Sequence, residues 1–378
     1  MYVNKLVYSL LFAFALTVPL GYAVPAFAIT LTQISTPFPS PIGIDHHEEG
    51  ATDRVAISVN YPTGNPHSLK LVDAGGIQTQ FSALSGVGDE IKIATVRTGN
   101  TGGFTVGDLF VGNGVDGEIV RITNNGVTVF NPWVSLPGAG NGLMRGSLYV
   151  DRTGVYGDDL IVVTTAGEVW RINSAGAPIF IADVNVHLEG VVTVPNNALQ
   201  YGPLAGKIIA GNENNGRLYI FDSSGFLSFI IPGVNIEDID HITGTENFYG
   251  VNFGTGRLLG APAADFILYA GEILLTQETH AAGTSGLYHL FWNGVSLQAL
   301  QIPATVTTGT IGQWEHVTFS SAGIAEIPPS EEVIGGEIIP INSVALLGAG
   351  AQSTSVWMIS VLGLAAGLGF IYVRKRIV

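Results

Sequence analysis

Three short stretches of this chain set a glutamate at the head of an apolar run, with a histidine or a second acid close by. They are "HLEGVVTVP" (His187–Pro195), "IEDIDHIT" (Ile236–Thr243) and "QWEHVTF" (Gln313–Phe319). Carboxylates and imidazoles are the groups that ligate divalent cations and carry protons. Other apolar runs open in a similar way: Asp45, His46, His47 and Glu48; Asp89 and Glu90; Arg145. From these heads the nominated metal set is Glu48, Glu189, Asp238 and Glu315, with His187 and His316 in or near the first shell. The oxygens suit Ca²⁺, and the histidines suit Zn²⁺ or another transition ion. Glu189 and Glu237 are the candidate general bases. A plainer account has these carboxylates accept hydrogen bonds from neighbouring backbone or face water.

Such residues meet only if a fold brings the heads of separate strands together. "GDLFVGNGVDGEIVRITNNG" (Gly107–Gly126), "GDDLIVVTTAGEVWRINSAG" (Gly157–Gly176) and "GKIIAGNENNGRLYIFDSSG" (Gly206–Gly225) share one plan. Each has a short apolar strand, a Gly-bearing turn, a strand of period 2 and a tight polar turn. Asp53–Gly76 is a looser copy, and Gly271–Gly294 repeats the plan with a longer turn. One strand precedes each copy and one follows it. Four strands recurring about every 50 residues is the rhythm of a β-propeller. The predicted fold is all-β, a propeller of about six four-stranded blades. The stretch Glu246–Phe266 breaks the pattern, and "WEHVTFS" is expected to close the ring near the first blade. In this fold the polar strand heads converge at one mouth of the central channel. Trp133, Trp170, Tyr219, Trp292 and Trp314 are expected between blades, with a sugar platform open only to those facing the mouth.

Several stretches carry a resemblance, among them "RGSLYVDRTGVYGDDLIVVTTAGEVWRIN", "HLEGVVTVPNNALQYGPLAGKIIAG", "ENFYGVNFG" and "QWEHVTF". Over most of residues 42–324 the chain resembles a family of secreted propeller proteins of unassigned role in bacteria and archaea. More distantly it is similar to the six-bladed, calcium-binding lactonases of the gluconolactonase and regucalcin type. That second likeness implies a metal-dependent hydrolase of lactones or esters.

The ends speak to location. Residues 1–28 hold Lys5, an apolar stretch and "AFA", the layout of a secretory signal peptide. Residues 29–325 would be the propeller and 326–355 a Pro, Gly and acid-rich linker. Residues 356–373 contain no charge and reach about 27 Å as a helix, and Arg374-Lys375-Arg376 opens a basic tail at 374–378. A basic stop places the C-terminus in the cytoplasm and the propeller outside. The tail "IIPINSVALLGAGAQSTSVWMISVLGLAAGLGFIYVRKR" resembles the sorting tails of archaeal cell-surface proteins. Whether the span is retained or cut stays open at this stage.

With 30 acidic and 15 basic residues the formal charge is −15, which argues against nucleic acid as a partner. Cations, basic partners and neutral sugars suit it better. The absence of cysteine excludes disulfides and thiolate sites. No P-loop, dinucleotide fingerprint, G-x-S-x-G or H-E-x-x-H occurs. The leading expectation is an exported propeller on a membrane anchor that binds an extracellular ligand or protein. A metal-dependent lactonase or esterase and a structural cell-envelope component are the alternatives.

Overall fold

Six sheets stand radially around one axis. The computed structural model describes residues 28–50, 52–278 and 285–324. The linker, apolar span and basic tail, and all but the last residue of the predicted signal, lie outside the described residues. Among the described residues no helix is long and apolar enough to cross a membrane.

Blades 1 to 5 are antiparallel and are reached through their innermost strands. The innermost strands are Ile44–Glu49, Ala94–Thr95, Ser147–Val150, Glu189–Thr193, Ile236–His241 and Trp314–Ser320, for blades 1 to 6. Each packs against the next, and the sixth packs against the first. Blades 1 to 5 have four strands and blade 6 has five. The burial gradient follows from this geometry. Inner and second strands lie between neighbouring blades and read as continuous apolar runs, such as Leu160–Val163. The outermost strands, such as Pro178–Asp183 and Gly225–Ile230, leave most side chains in water.

The last two blades do not follow chain order. Ile236–His241 opens blade 5, and the chain then crosses to blade 6 for Asn247–Asn252 and Arg257–Ala261. It returns to blade 5 for Ile273–Gln277, Gly286–Trp292 and Leu297–Ile302. The stretch that breaks the sequence repeat is thus the middle of blade 6. Trp314–Ser320 lies beside blade 1, as expected, but hydrogen-bonds to Asn247–Asn252 within blade 6. The seal comes from the N-terminal strand Ile29–Gln33. It runs antiparallel to Arg257–Ala261 and parallel to Ala304–Val306, so both chain ends of the propeller share one blade.

On the inner strand of blade 1, His47 packs against the core residue Phe81. His47 is fully buried, its ring edge-on to Phe81 at 4.9 Å, and neither ring nitrogen has a hydrogen-bond partner. Burial, with Arg54 and His46 nearby, pushes its pKa down to about 4, against the pull of Asp45 and Glu48.

Leu31→Ala, at a wholly buried position of the sealing strand, should cost about 2–5 kcal/mol in urea unfolding. Val127→Ala, on an exposed turn, should change stability by less than about 0.5 kcal/mol. His47 is neutral when folded and charges freely when unfolded. Its stabilisation is therefore complete above pH 6.5 and is lost as pH falls through about 4. His47→Leu should remove about 2–3 kcal/mol of the stability loss seen between pH 7 and pH 4.5.

Candidate functional site

The innermost strands run side by side in one direction, so the channel has a near mouth where they begin and a far mouth where they end. The Asp238 carboxylate accepts the backbone N–H of Val317 at 2.8 Å, and Asp240 accepts that of Phe319 at 3.2 Å. Asp45 does the same for Thr95 at 2.8 Å. An innermost strand has a sheet partner on one side only, and its other edge faces the next blade. Carboxylates from that blade satisfy the buried N–H groups, which are costly to leave unpaired.

Glu48 belongs to this stitching. It sits at the far end of its strand and accepts the Thr98 N–H at 2.9 Å and the Thr98 hydroxyl at 2.6 Å. It is therefore not grouped with Glu189 and Glu315, which is a correction to the nominated set. Its other polar neighbour is His46 of its own strand, 3.5 Å away. Asp238 and His316 form a deeper pair, 3.7 Å apart. Burial raises the Asp238 carboxyl well above its usual range despite the Val317 N–H. Burial, with Lys92 near, drives the His316 imidazole well below its own.

At the near mouth Glu189, Glu237 and Glu315 come together around Lys92. Lys92 is wholly buried, its Nζ 2.5 Å from Glu237 Oε1 and 3.7 Å from Glu315 Oε2. Burial alone would discharge this ammonium, but Glu237, Glu315 and Glu189 outweigh it and raise its pKa well above normal. Burial pushes Glu237 up, and Lys92 more than reverses that, leaving a carboxylate. Glu189 and Glu315 end well above the ordinary carboxylate range through burial. For Glu189 the charge of Glu237 adds to this, and for Glu315 the charges of Glu237 and Glu278 outlast the opposing Lys92.

The local backbone explains why these residues point inward. All three glutamates sit at breaks in strand register: Glu189 to Val191, Ile236 to Ile239, and the stretch of Trp314–Ser320 opposite Gly250 and Asn252. A bulge adds a residue to one strand and re-aims its side chain. Gly190 makes the first of them possible. Its φ is +58°, and a Cβ there would lie 2.8 Å from the Asp238 backbone. The sequence signs of the three bulges are Glu189-Gly190, Glu237-Asp238 and Glu315-His316.

Two residues outside the strand heads complete the cluster. Glu213, from a hairpin turn of blade 4, offers an oxygen within 4.8 Å of donor atoms on His187 and Glu189. It also stands within 4.8 Å of oxygens on Glu237 and Glu278. His187 Nε2 lies 3.2 Å from Glu189 Oε1. The Gln313 amide donates to Glu278 and, at 3.3 Å, to Glu315. Arg145 is turned aside to Glu90 at 2.7 Å. Sequence reasoning missed Lys92, Glu213 and Glu278. Only Lys92 left a signal, a lysine between two isoleucines.

The fold defines a six-bladed β-propeller with an acidic chamber at one axial mouth. No protein-family model and no curated sequence matches the chain. Among solved structures it is similar to virginiamycin B lyase from Staphylococcus aureus, at 11% identity over 72% of this chain and 87% of that one, TM-score 0.41. The WD40 propeller domain of Doa1 aligns at 12% identity over 72% and 87%, TM-score 0.38. A gluconolactonase from Xanthomonas campestris aligns at 11% over 61% and 89%, TM-score 0.35. These likenesses concern the fold alone.

Lys92→Met should leave buried glutamates without their counter-charge. In metal-free protein at pH 7 the expected loss is about 3–5 kcal/mol of unfolding free energy, measured in urea.

Proposed function

We propose that this chain is a non-catalytic binding module, a propeller whose near mouth takes a divalent cation and presents a ligand- or protein-binding face outside the cell. The observation that carries the reading is the pair of donor triads, His187–Glu189–Glu213 and Glu213–Glu237–Glu278, which share Glu213. A second observation agrees. Glu189 Oε2 is buried with no donor to it among the described residues, and the Glu189 and Glu237 carboxyls are in hydrogen-bond contact. Two carboxylates meet that way only with a proton or a cation between them. Four glutamates and one imidazole favour a cation that accepts mostly oxygen, Ca²⁺ or Mn²⁺ before Zn²⁺. Glu48, Asp238, Glu315 and His316 are left out of this ligand set. The first two are engaged with the backbone of the next blade, Glu315 belongs to neither donor triad, and His316 pairs with Asp238. Export and anchoring rest on the sequence pattern of residues 1–28 and 356–378, with the basic tail inside the cell.

The test is elemental analysis and thermal unfolding of the full chain, first stripped with EDTA and then given Ca²⁺, Mn²⁺, Zn²⁺ or Mg²⁺. One ion per chain and a stabilisation of about 2.7 kcal/mol at a hundredfold excess over Kd are expected. Glu213→Gln should abolish the shift and Glu48→Gln should leave it. A stripped protein that takes up no ion and never shifts would end this reading.

A metal-dependent lactonase or esterase is the second reading, favoured by one observation. Burial and the neighbouring Glu237 raise the Glu189 carboxyl well above the ordinary carboxylate range, the direction that keeps a proton available for general-acid work. Turnover of a lactone and ester panel that needs the ion and disappears in folded Glu189→Gln would favour this reading over the first.

A further inference from the structure

The far mouth of the channel holds a cavity of about 540 Å³, a size typical of small-molecule sites. Its walls are the segments that follow the inner strands of blades 2 to 5, so it lies a strand's length from the acidic chamber. Asp45 and Asp240 form the floor beneath two arginines. Arg97 Nη2 donates to Asp45 at 3.1 Å, to Thr318 Oγ1 at 3.1 Å and to the Phe319 carbonyl at 2.8 Å. Arg152 Nη2 donates to Asp45 at 3.1 Å, and its guanidinium lies over the Tyr149 ring at 4.9 Å.

Arg152 is anchored on one side only. Its Nη1 is 3.7 Å from Asp240, beyond hydrogen-bond length, and its side chain, about a quarter exposed, lines the cavity. Tyr201 also lines the space, its hydroxyl without a partner among the described residues, and its ring is edge-on to His241 at 6.3 Å. Glu246 stands on the rim, held by Arg97 through a long contact of 3.3 Å. The cavity thus combines spare donors, a carboxylate acceptor, a hydroxyl and aromatic surface.

Charge decides which ligand fits. Asp45 and Asp240 balance the two arginines. Asp151 is taken by the N–H groups of Thr153, Tyr156 and Asp158 and by the Thr193 hydroxyl, and Asp158 by Thr101. That leaves Glu246 paired to Arg97, so a cationic ligand finds no free carboxylate. An anionic ligand would enter past Asp151, Asp158 and Glu246, on a chain of net charge −15. An apolar ligand would strip water from the guanidinium and the carboxylate without replacing their hydrogen bonds. Hydroxyl groups satisfy both, donating to Glu246 and accepting from Arg152.

We propose that the far-mouth cavity binds a neutral polyhydroxylated ligand, a single saccharide residue, seated by Arg152, Glu246 and Tyr201. The site stands apart from the cation chamber and does not require an ion. None of the five tryptophan and tyrosine positions singled out as a sugar platform from sequence lines the cavity, whose rings are Tyr149, Tyr201 and His241.

The test is isothermal titration of the EDTA-stripped full chain. Probes are glucose, galactose, mannose and N-acetylglucosamine as free sugars and as methyl glycosides, with glucuronate and spermidine as charged comparators. Saturable binding of at least one neutral sugar is expected. The free sugars stand for a monomeric ligand and the methyl glycosides for the end of a glycan. Glu246→Gln and Tyr201→Ala should each weaken binding about tenfold or more, the loss of a charged or buried hydrogen bond, while Glu213→Gln leaves it unchanged. Glu246→Gln is isosteric at a partly exposed position, which guards against a fold defect in the tyrosine variant. Binding of only the charged probes, binding insensitive to Glu246→Gln and Tyr201→Ala, or no binding by the folded chain would overturn the proposal. Sugar binding that disappears in EDTA and in Glu213→Gln would also overturn it, by placing the ligand at the near mouth.

Discussion

Six strands crowd one axis in this molecule, and each has a hydrogen-bonding edge that no strand covers. Inner strands of adjacent blades lie too far apart in angle to pair as a sheet, yet too close to admit water freely. The molecule resolves this with side chains. Asp45, Asp238 and Asp240 each reach across a blade boundary and accept an N–H group of the next inner strand, and Glu48 accepts that of Thr98 just beyond one. A hydrogen bond to a carboxylate is stronger than one to a neutral acceptor, and it consumes the charge that burial would otherwise make costly. The close packing of blade 1 on blade 2 and of blade 5 on blade 6 depends on this stitching, because without it those boundaries would carry orphaned donors.

The near-mouth glutamates are acids that the stitching does not use. Bulges at the heads of blades 4, 5 and 6 turn them inward, and among the described residues a single buried lysine from blade 2 is the full positive charge sunk among them. One ammonium cannot neutralise Glu189, Glu237, Glu315, Glu213 and Glu278 together. Protons held on Glu189 and Glu315, or a bound cation, must provide the rest. The far mouth is built the other way. There two arginines sit on two aspartates, and the local charge is close to balanced. One channel therefore presents two chemically different ends.

The interleaving of blades 5 and 6 shows where repeat reasoning works and where it stops. Blades 2 to 4 take their strands in chain order, and their alternating runs and Gly turns display the unit openly. In blade 6 the strands come from residues 29–33, 247–261 and 304–320, so no contiguous stretch spells the unit. The irregularity of Glu246–Phe266 was real as a pattern, but its cause was a crossing between sheets and not an absence of strands. The sealing strand Ile29–Gln33 has only an ordinary alternation to mark it. Its neighbours lie more than 220 residues away, and nothing local announces them.

Local sequence therefore determined what depends on neighbours within about 50 residues: an all-β chain, the hairpins, the four-strand rhythm and the acids at strand heads. Periodicity is a property of consecutive side chains, so it can be read directly. What only the tertiary structure decided is which acid serves which purpose. Glu48 and Glu189 look alike in sequence, each an acid beside histidine in an apolar setting. One ends its strand against Thr98 of the adjacent blade, and the other begins its strand on a bulge facing Lys92. Lys92, Glu213 and Glu278 join that chamber from three different blades. Their role arises from the closing of a ring, and the distance between charges across a ring is set by its geometry, not by the order of residues along the chain.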